Sequence, residues 1–241
     1  MTTGLLAAPD VLVPWASGVL RDALSRSPLL DGRPYEIFGQ GSRVNGTAIE
    51  PASDIDLVLM LTAPGRWEDF RDDVRSLLGE SFDVRTGRRC LNIDSLYGEA
   101  VDVLVATEHH GPEQGVFFRD AEGRPIVNFP KRHTVNGDAK DGRTGGWFKD
   151  VIRAAKRARP AGDPMPSYLI ECLLFNVPDR VYREPDPYGA AFGWLRRCYR
   201  DHPAAFAGLP CQNGINRLFG VGPDQWKPGE AARIIEVLHR I

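Results

Sequence analysis

The chain has 241 residues, enough for one large domain or two small ones and for a substantial core. Its net charge is −2 with 26% charged residues, so no global field draws it to nucleic acid or to an anionic membrane. Four cysteines (Cys90, Cys172, Cys198, Cys211) lie far apart without a C-x-x-C, which argues against a zinc site or a disulfide framework and suits reduced thiols. The N-terminus lacks a basic region followed by an apolar run, and no window reaches membrane-span length; a soluble, cytoplasmic protein is expected.

In chain order, Pro9 to Ser25 place Val11, Leu12, Trp15, Val19, Leu20 and Leu24 at helical spacing. Pro28 and Asp31-Gly32 mark the exit. The stretch YEIFGQGSRVNGTAIEPASDIDLVLML (Tyr35 to Leu61) then reads as a short strand, a Gly-Ser turn, a polar excursion and a second strand. Side chains two apart on a strand share a face, so Asp54 and Asp56 project together while Ile55, Leu57, Leu59 and Leu61 face a core. Two carboxylates on one face repel unless a cation lies between them. Hard divalent ions such as Mg2+ take oxygen ligands and keep substrate phosphates in their shell. Upstream of Asp54 by the eleven residues Arg43 to Ser53, Gly41-Ser42 offers backbone N–H groups and a hydroxyl that can cradle phosphate oxygens.

Arg66 to Leu78 predicts a helix with Trp67, Phe70, Val74, Leu77 and Leu78 inward. Phe82 to Val84 and Arg89 to Ile93 predict short strands about a turn at Thr86-Gly87. After Tyr97-Gly98 comes the strand Glu99 to Val105, in which Asp102 stands between Val101 and Val103, a costly place for a charge without a partner. Antiparallel hairpin pairing would bring this strand beside the D-I-D strand, so that the three aspartates converge. The order predicts a mixed layer with helices on one face. Alone, D-I-D is a polar strand start and Gly-Ser a generic turn; with Asp102 they specify a site jointly.

From His109 to Gly146 glycine, proline and mixed charge dominate, with Val116-Phe117-Phe118 and Ile126-Val127 as apolar anchors, which predicts a long crossover loop between lobes. The lobe boundary is expected within Gly111 to Gly146, with a catalytic lobe over 1–125, across which the first helix could pack, and a helical lobe over 126–241. The adjacent His109 and His110 are poor joint metal ligands, and Lys131, Arg132 and His133 read as a solvated basic loop. From Trp147 onward the chain is helical. Phe148, Val151, Ile152 and Ala155 form an inner stripe, and Lys149, Arg153, Lys156 and Arg157 a second, basic face. Ser167 to Phe175 follows Pro164 and Pro166, so Ser167 is the expected N-cap and Tyr168 a core tyrosine or a surface on which a base stacks. Tyr188 to Tyr199 and Gly229 to Ile241 complete the pattern, with Trp194-Leu195, Ile234-Ile235 and Val237-Leu238 as core contacts. No internal repeat or low-complexity segment occurs.

These features resemble the polymerase-beta-like nucleotidyltransferases, whose signature is Gly-Ser, a spacer, D-h-D and a later h-D-h. Within that superfamily Gln40-Gly-Ser-Arg-Val-Asn-Gly-Thr47 and Ser53-Asp-Ile-Asp56 are similar to the bacterial CD-NTases, cyclic-oligonucleotide synthases related to cyclic GMP-AMP synthase. NFPKRHTVNGDAK, TGGWFKDVIRAAKRAR, PSYLIECLLFNVPD and QNGINRLFG extend the likeness, which covers most of the chain from about Tyr35 onward.

The resemblance implies an α+β fold: a nucleotidyltransferase lobe with a mixed sheet, plus a C-terminal helical lobe. It implies metal-dependent transfer at two Mg2+ ions (Mn2+ a possible substitute) held by Asp54, Asp56 and Asp102. Gln40, Gly41, Ser42, Lys156, Ser167 and Tyr168 would then bind nucleotide. Lys156 would face the leaving pyrophosphate, Ser167 a phosphate and Tyr168 a base. NTPs are the implied substrates and a cyclic di- or trinucleotide the implied product, sensed by an effector protein in CBASS-type antiphage signalling. The near-neutral charge favours constitutive activity or control by a protein partner over nucleic-acid activation. Two alternatives use the same signature: a nucleotidyltransferase that modifies a protein or small molecule or makes linear oligonucleotides, and a catalytically silent nucleotide-sensing module.

Overall fold

A computed structural model describes residues 11–50, 53–160 and 162–240. Pro9 and Asp10 of the first predicted helix, Pro51 and Ala52 of the polar excursion, and Ile241 lie outside them. Packing divides the chain into two compact units. One holds the residues up to Val44 together with Asp54–Glu108; the other holds Asn45–Ser53 and the chain from His109 onward.

The first unit opens with α1 (Leu12–Leu24), which buries Ala16, Leu20, Ala23 and Leu24. Its stripe lies one step round from the expected one: Val11 and Trp15 are exposed, and Trp15 meets the Tyr97 ring edge-on. Strand β1 (Tyr35–Gln40) runs into a single helical turn, α2 (Gly41–Val44), and the chain re-enters as β2 (Ile55–Leu61). Helix α3 (Trp67–Gly79) buries the five predicted residues, and the Trp67 Nε1–H donates to the Val105 carbonyl at 2.8 Å. Strands β3 (Val84–Thr86), β4 (Leu91–Leu96) and β5 (Glu99–His110) follow, the first two lying two residues later than the spacing predicts.

The strand order is β1-β2-β5-β4-β3. β2 and β5 are neighbours, as expected, but they pair in parallel; the antiparallel partners are β1 with β2 and β4 with β5. The chain between β2 and β5 crosses over through α3 and the β3–β4 hairpin, and a crossover returns it in the direction it left. β2 is covered on both faces, because Val58 and Met60 are buried along with Leu57, Leu59 and Leu61. Only the start of the strand remains polar.

In the second unit, the segment predicted as a structureless crossover contains a hairpin and a helix. β6 (Gln114–Arg119) pairs antiparallel with β7 (Pro125–Asn128), and α4 spans Pro130–Arg143. Helix α4 buries His133, Gly137 and Lys140, which sit at helical spacing but are not apolar, so hydrophobic periodicity cannot see it. Gly137 admits Gln212, whose Nε2 donates to the His133 carbonyl at 2.9 Å; a Cβ at Gly137 would meet that nitrogen at 2.5 Å. The Lys140 ammonium donates to Val177 O (2.7 Å) and Asp179 Oδ1 (2.9 Å) and lies 5.3 to 5.7 Å from the rings of Tyr182, Phe175 and Phe148.

Helices α5 (Trp147–Arg157), α6 (Ser167–Phe175), α7 (Pro187–Asp201), α8 (Pro203–Ala207) and α9 (Pro228–His239) close round a core that includes Phe148, Ile152, Leu173, Phe192, Leu195 and Ile235. The Tyr188 hydroxyl at the start of α7 donates to Leu238 O near the end of α9. Among the described residues, no helix is long and apolar enough to cross a membrane.

Candidate active site

Residues directly opposite on neighbouring strands share a face. In the first unit the register sets Gln40 opposite Asp56, Asp56 opposite Asp102, and Asp102 opposite Asn92. A row of four half-buried polar side chains therefore crosses β1, β2, β5 and β4. Asn92 Nδ2 donates to Asp102 Oδ1 at 2.5 Å. Asp54 is exposed, one residue before β2, two positions from Asp56.

Electrostatics tie the three carboxylates together. Burial raises the pKa of Asp102; the hydrogen bond from Asn92 opposes this, while the charges of Asp54 and Asp94 add to it. Cys90 lies against the same cluster: burial and the charges of Asp102 and Asp56 push its thiol up to about 12. It is a neutral thiol and not a nucleophile. Gly41 follows Gln40 with φ +71°, and a Cβ there would collide with the Asp56 carboxylate. The glycine thus serves both the left-handed turn and the close approach of backbone to acid. Ser42 follows it in α2.

The donor set consists of carboxylates alone, the oxygen ligands that hard divalent ions prefer. Like charges around a half-buried Asp102 carry a penalty that a cation there would relieve. Among the described residues no three His, Cys, Asp or Glu side chains already stand as a closed ligand set. The residues fit such an ion in donor chemistry and in strand register.

The helical-unit residues sit otherwise than the sequence suggests. Ser167 is the first residue of α6, not its cap: Pro166, with extended backbone, holds the cap position, and Ser167 Oγ accepts from Arg159 Nη1 at 3.2 Å. Tyr168 stacks on His133 (centroids 5.0 Å apart) and on Trp226 (5.8 Å). Burial raises its hydroxyl pKa well above the usual tyrosine value, with Cys172 and Cys211 adding to the shift.

The supposed basic face of α5 is not one face. Lys149 pairs with Asp138 at 2.5 Å, Arg153 with Asp150 and the Gly46 carbonyl, and Arg157 is exposed. Lys156 is buried: its side chain is 2% exposed and pairs at 2.5 Å with Glu171, itself 5% exposed. His133, read from sequence as part of a solvated basic loop, is buried against the same glutamate at 3.0 Å, while Lys131 and Arg132 are exposed. Sequence reasoning missed Asn92, His133 and Glu171. Glu171 carried a signal, since it is the single charge in SYLIECLLF; Asn92 becomes notable only once its register partner is known.

Residues 135–241 match the family described as the cGAS/DncV-like nucleotidyltransferase C-terminal helical domain. The chain is 34% identical to the cyclic UMP-AMP synthase of Rhodothermus marinus, with 91% of this chain and 88% of the relative covered. It is 28% identical to the cyclic dipyrimidine nucleotide synthase CdnE of Cecembia lonarensis, over 70% of each. The solved structure of the Rhodothermus marinus CdnE c-UMP-AMP synthase with Apcpp and Upnpp superposes with a TM-score of 0.78 at 29% identity, covering 93% of this chain and 89% of that one. The CdnE cyclic dinucleotide synthase of Elizabethkingia meningoseptica shares the fold, with a TM-score of 0.80 at 20% identity over 95% and 91% of the two chains.

Proposed function

Because the chain belongs to the CD-NTase family of nucleotidyltransferases, we propose that it joins nucleoside triphosphates into a cyclic di- or trinucleotide at Asp54, Asp56 and Asp102. The observation that carries this reading is the in-register pair Asp56 and Asp102 on parallel neighbours, with the backbone of Gly41 packed against Asp56. An arrangement of that kind brings acids and a close-approach turn together at the ends of adjacent strands.

Asp54 and Asp56 are the residues that would hold two divalent cations, with Asp102 completing the set on the side of the attacking hydroxyl. Such ions, Mg2+ or Mn2+, lower the pKa of a ribose hydroxyl and offset charge on the departing pyrophosphate when bound. Asn92 holds Oδ1 of Asp102, which leaves Oδ2 to accept the hydroxyl proton. The Gly41-Ser42 backbone and the Ser42 hydroxyl receive triphosphate oxygens, and Gln40 lies beside Asp56 in the same row. Ser167 remains the proposed phosphate contact of the helical unit, whereas Tyr168, already stacked on His133 and Trp226, fits the core-tyrosine reading better than a base platform. The product is read as a signal that an effector protein senses in antiphage defence; family membership alone supports that step.

The test is incubation of purified protein with all four NTPs and Mg2+ or Mn2+, followed by mass spectrometry. UTP matters in the mixture, since one relative is named a cyclic UMP-AMP synthase. A phosphatase-resistant nucleotide is the expected product, absent from a folded Asp54→Ala/Asp56→Ala variant. Linear product, label on a protein or small molecule, or undiminished activity in that variant overturns the reading.

A further inference from the structure

Charge is held inside a protein only where opposite charge and hydrogen bonds replace lost hydration. Glu171 has its hydration replaced throughout. Oε1 accepts from Lys156 Nζ (2.5 Å) and Thr47 Oγ1 (2.7 Å); Oε2 faces His133 Nε2 (3.0 Å) and Asn45 Nδ2 (3.4 Å). The three protons of Lys156 meet three oxygens, since Nζ also donates to Thr47 Oγ1 (3.0 Å) and the Thr47 carbonyl (3.1 Å). Asn45 is gripped at its other end, where Thr134 Oγ1 donates to Oδ1 at 2.8 Å, and Arg153 donates to the Gly46 carbonyl. Three consecutive residues, Asn45, Gly46 and Thr47, are thus held from α4, α5 and α6, although they belong to no helix or strand themselves.

Fixing irregular backbone costs conformational entropy that the groups holding it must offset. A buried ion pair is often no more stabilising than an apolar pair of the same volume. The pair therefore calls for a role other than core stability, and its partners indicate one. Asn45 begins immediately after Val44, the last residue of the turn that opens with Gly41-Ser42. We propose that Glu171 is a positioning residue: through Lys156, Thr47 and Asn45 it fixes the backbone of residues 45–47, the segment that continues the chain directly from the nucleotide-binding turn, before substrate arrives. The charge of Lys156 then serves Glu171 and not the pyrophosphate. The substrate in this statement rests on the nucleotidyltransferase reading; the clamp on residues 45–47 does not.

Two variants test it: Glu171→Gln, which keeps shape and removes charge, and Thr47→Val, which leaves the ion pair and removes the hydroxyl between its partners. In hydrogen–deuterium exchange of the nucleotide-free protein, peptides over residues 43–50 should exchange about tenfold faster in both variants, while in Thr47→Val β2 and α7 keep wild-type rates. In the synthase assay, KM for NTP should rise about tenfold with kcat changed less than about threefold, the signature of a lost binding geometry. Wild-type exchange over 43–50, or an unaltered KM, in a folded variant overturns the proposal. Should Glu171→Gln fail to fold, Thr47→Val decides by the same two readouts. Should the wild-type protein make no nucleotide product, the functional reading falls and the exchange measurement alone decides the clamp.

Discussion

Asp102 illustrates how one side chain can be unfavourable for the fold and yet suit the chemistry proposed for it. Its pKa is raised, first by burial and then by neighbouring acids, so the ionised form is penalised in the folded state. For a raised carboxylate, stability falls as pH climbs from the unfolded value through the folded one. Asp102→Asn keeps the bond to Asn92 and removes that charge. It should melt at or above the wild-type temperature at pH 7, lose this part of the pH dependence in thermal scans, and lower synthase turnover about a thousandfold or more. A wild-type rate in that variant would remove Asp102 from the chemistry. The placing of Asp102 beside Asp56 was legible in the sequence because two acids on one strand face, and a charge between valines, are costly without a partner. Glu171 obeyed the same rule, but its partners lie 15 to 126 positions away, and nothing local names them.

Single elements divide along similar lines. α3 and β2 follow from apolar spacing, whereas α4 does not, because the residues it turns inward are a histidine, a glycine and a lysine. Strand adjacency was readable from the need to gather the aspartates; strand direction was not, since it depends on where the intervening helix returns the chain. Short turns depend on backbone geometry more than on pattern, and Gly41 shows how much. With φ +71° and the Asp56 carboxylate where a Cβ would stand, Gly41→Ala should cost about 1–3 kcal/mol, or about 2–4 °C of Tm per kcal/mol. Displacing Asp56 or the turn by about 1 Å should also lower turnover about a hundredfold. Calorimetry and the synthase assay check the two effects separately; a Gly41→Ala protein with unchanged rate would show that the close approach is not needed.

At the scale of the whole molecule, buried ionic chemistry sets the response to acid. Burial alone would raise Glu171, but the hydrogen bond from His133 and the charge of Lys156 outweigh it and bring the carboxyl to about 2. A lowered carboxylate contributes stability above its unfolded pKa and loses it as pH falls toward the folded one. A drop from 4.5 to about 2 corresponds to about 3 kcal/mol, lost mainly between those two pH values. Denaturant titrations of the wild type should therefore weaken steeply below pH 4.5, and Glu171→Gln should show a flatter acid limb.

Cations on this chain are dominated by arginine, twenty-five against five lysines, yet the two cations sealed in the helical unit, Lys140 and Lys156, are both primary amines. A compact ammonium can be wrapped completely by oxygens and ring faces, which a broad planar guanidinium would overfill. Acylating reagents should accordingly modify Lys131 and Lys227, both at the surface, and spare Lys140 and Lys156 until the fold opens. Peptide mapping after brief acetylation would read that contrast directly. Coupling the native protein to a resin or dye through its amines would then leave the interior of the helical unit chemically untouched.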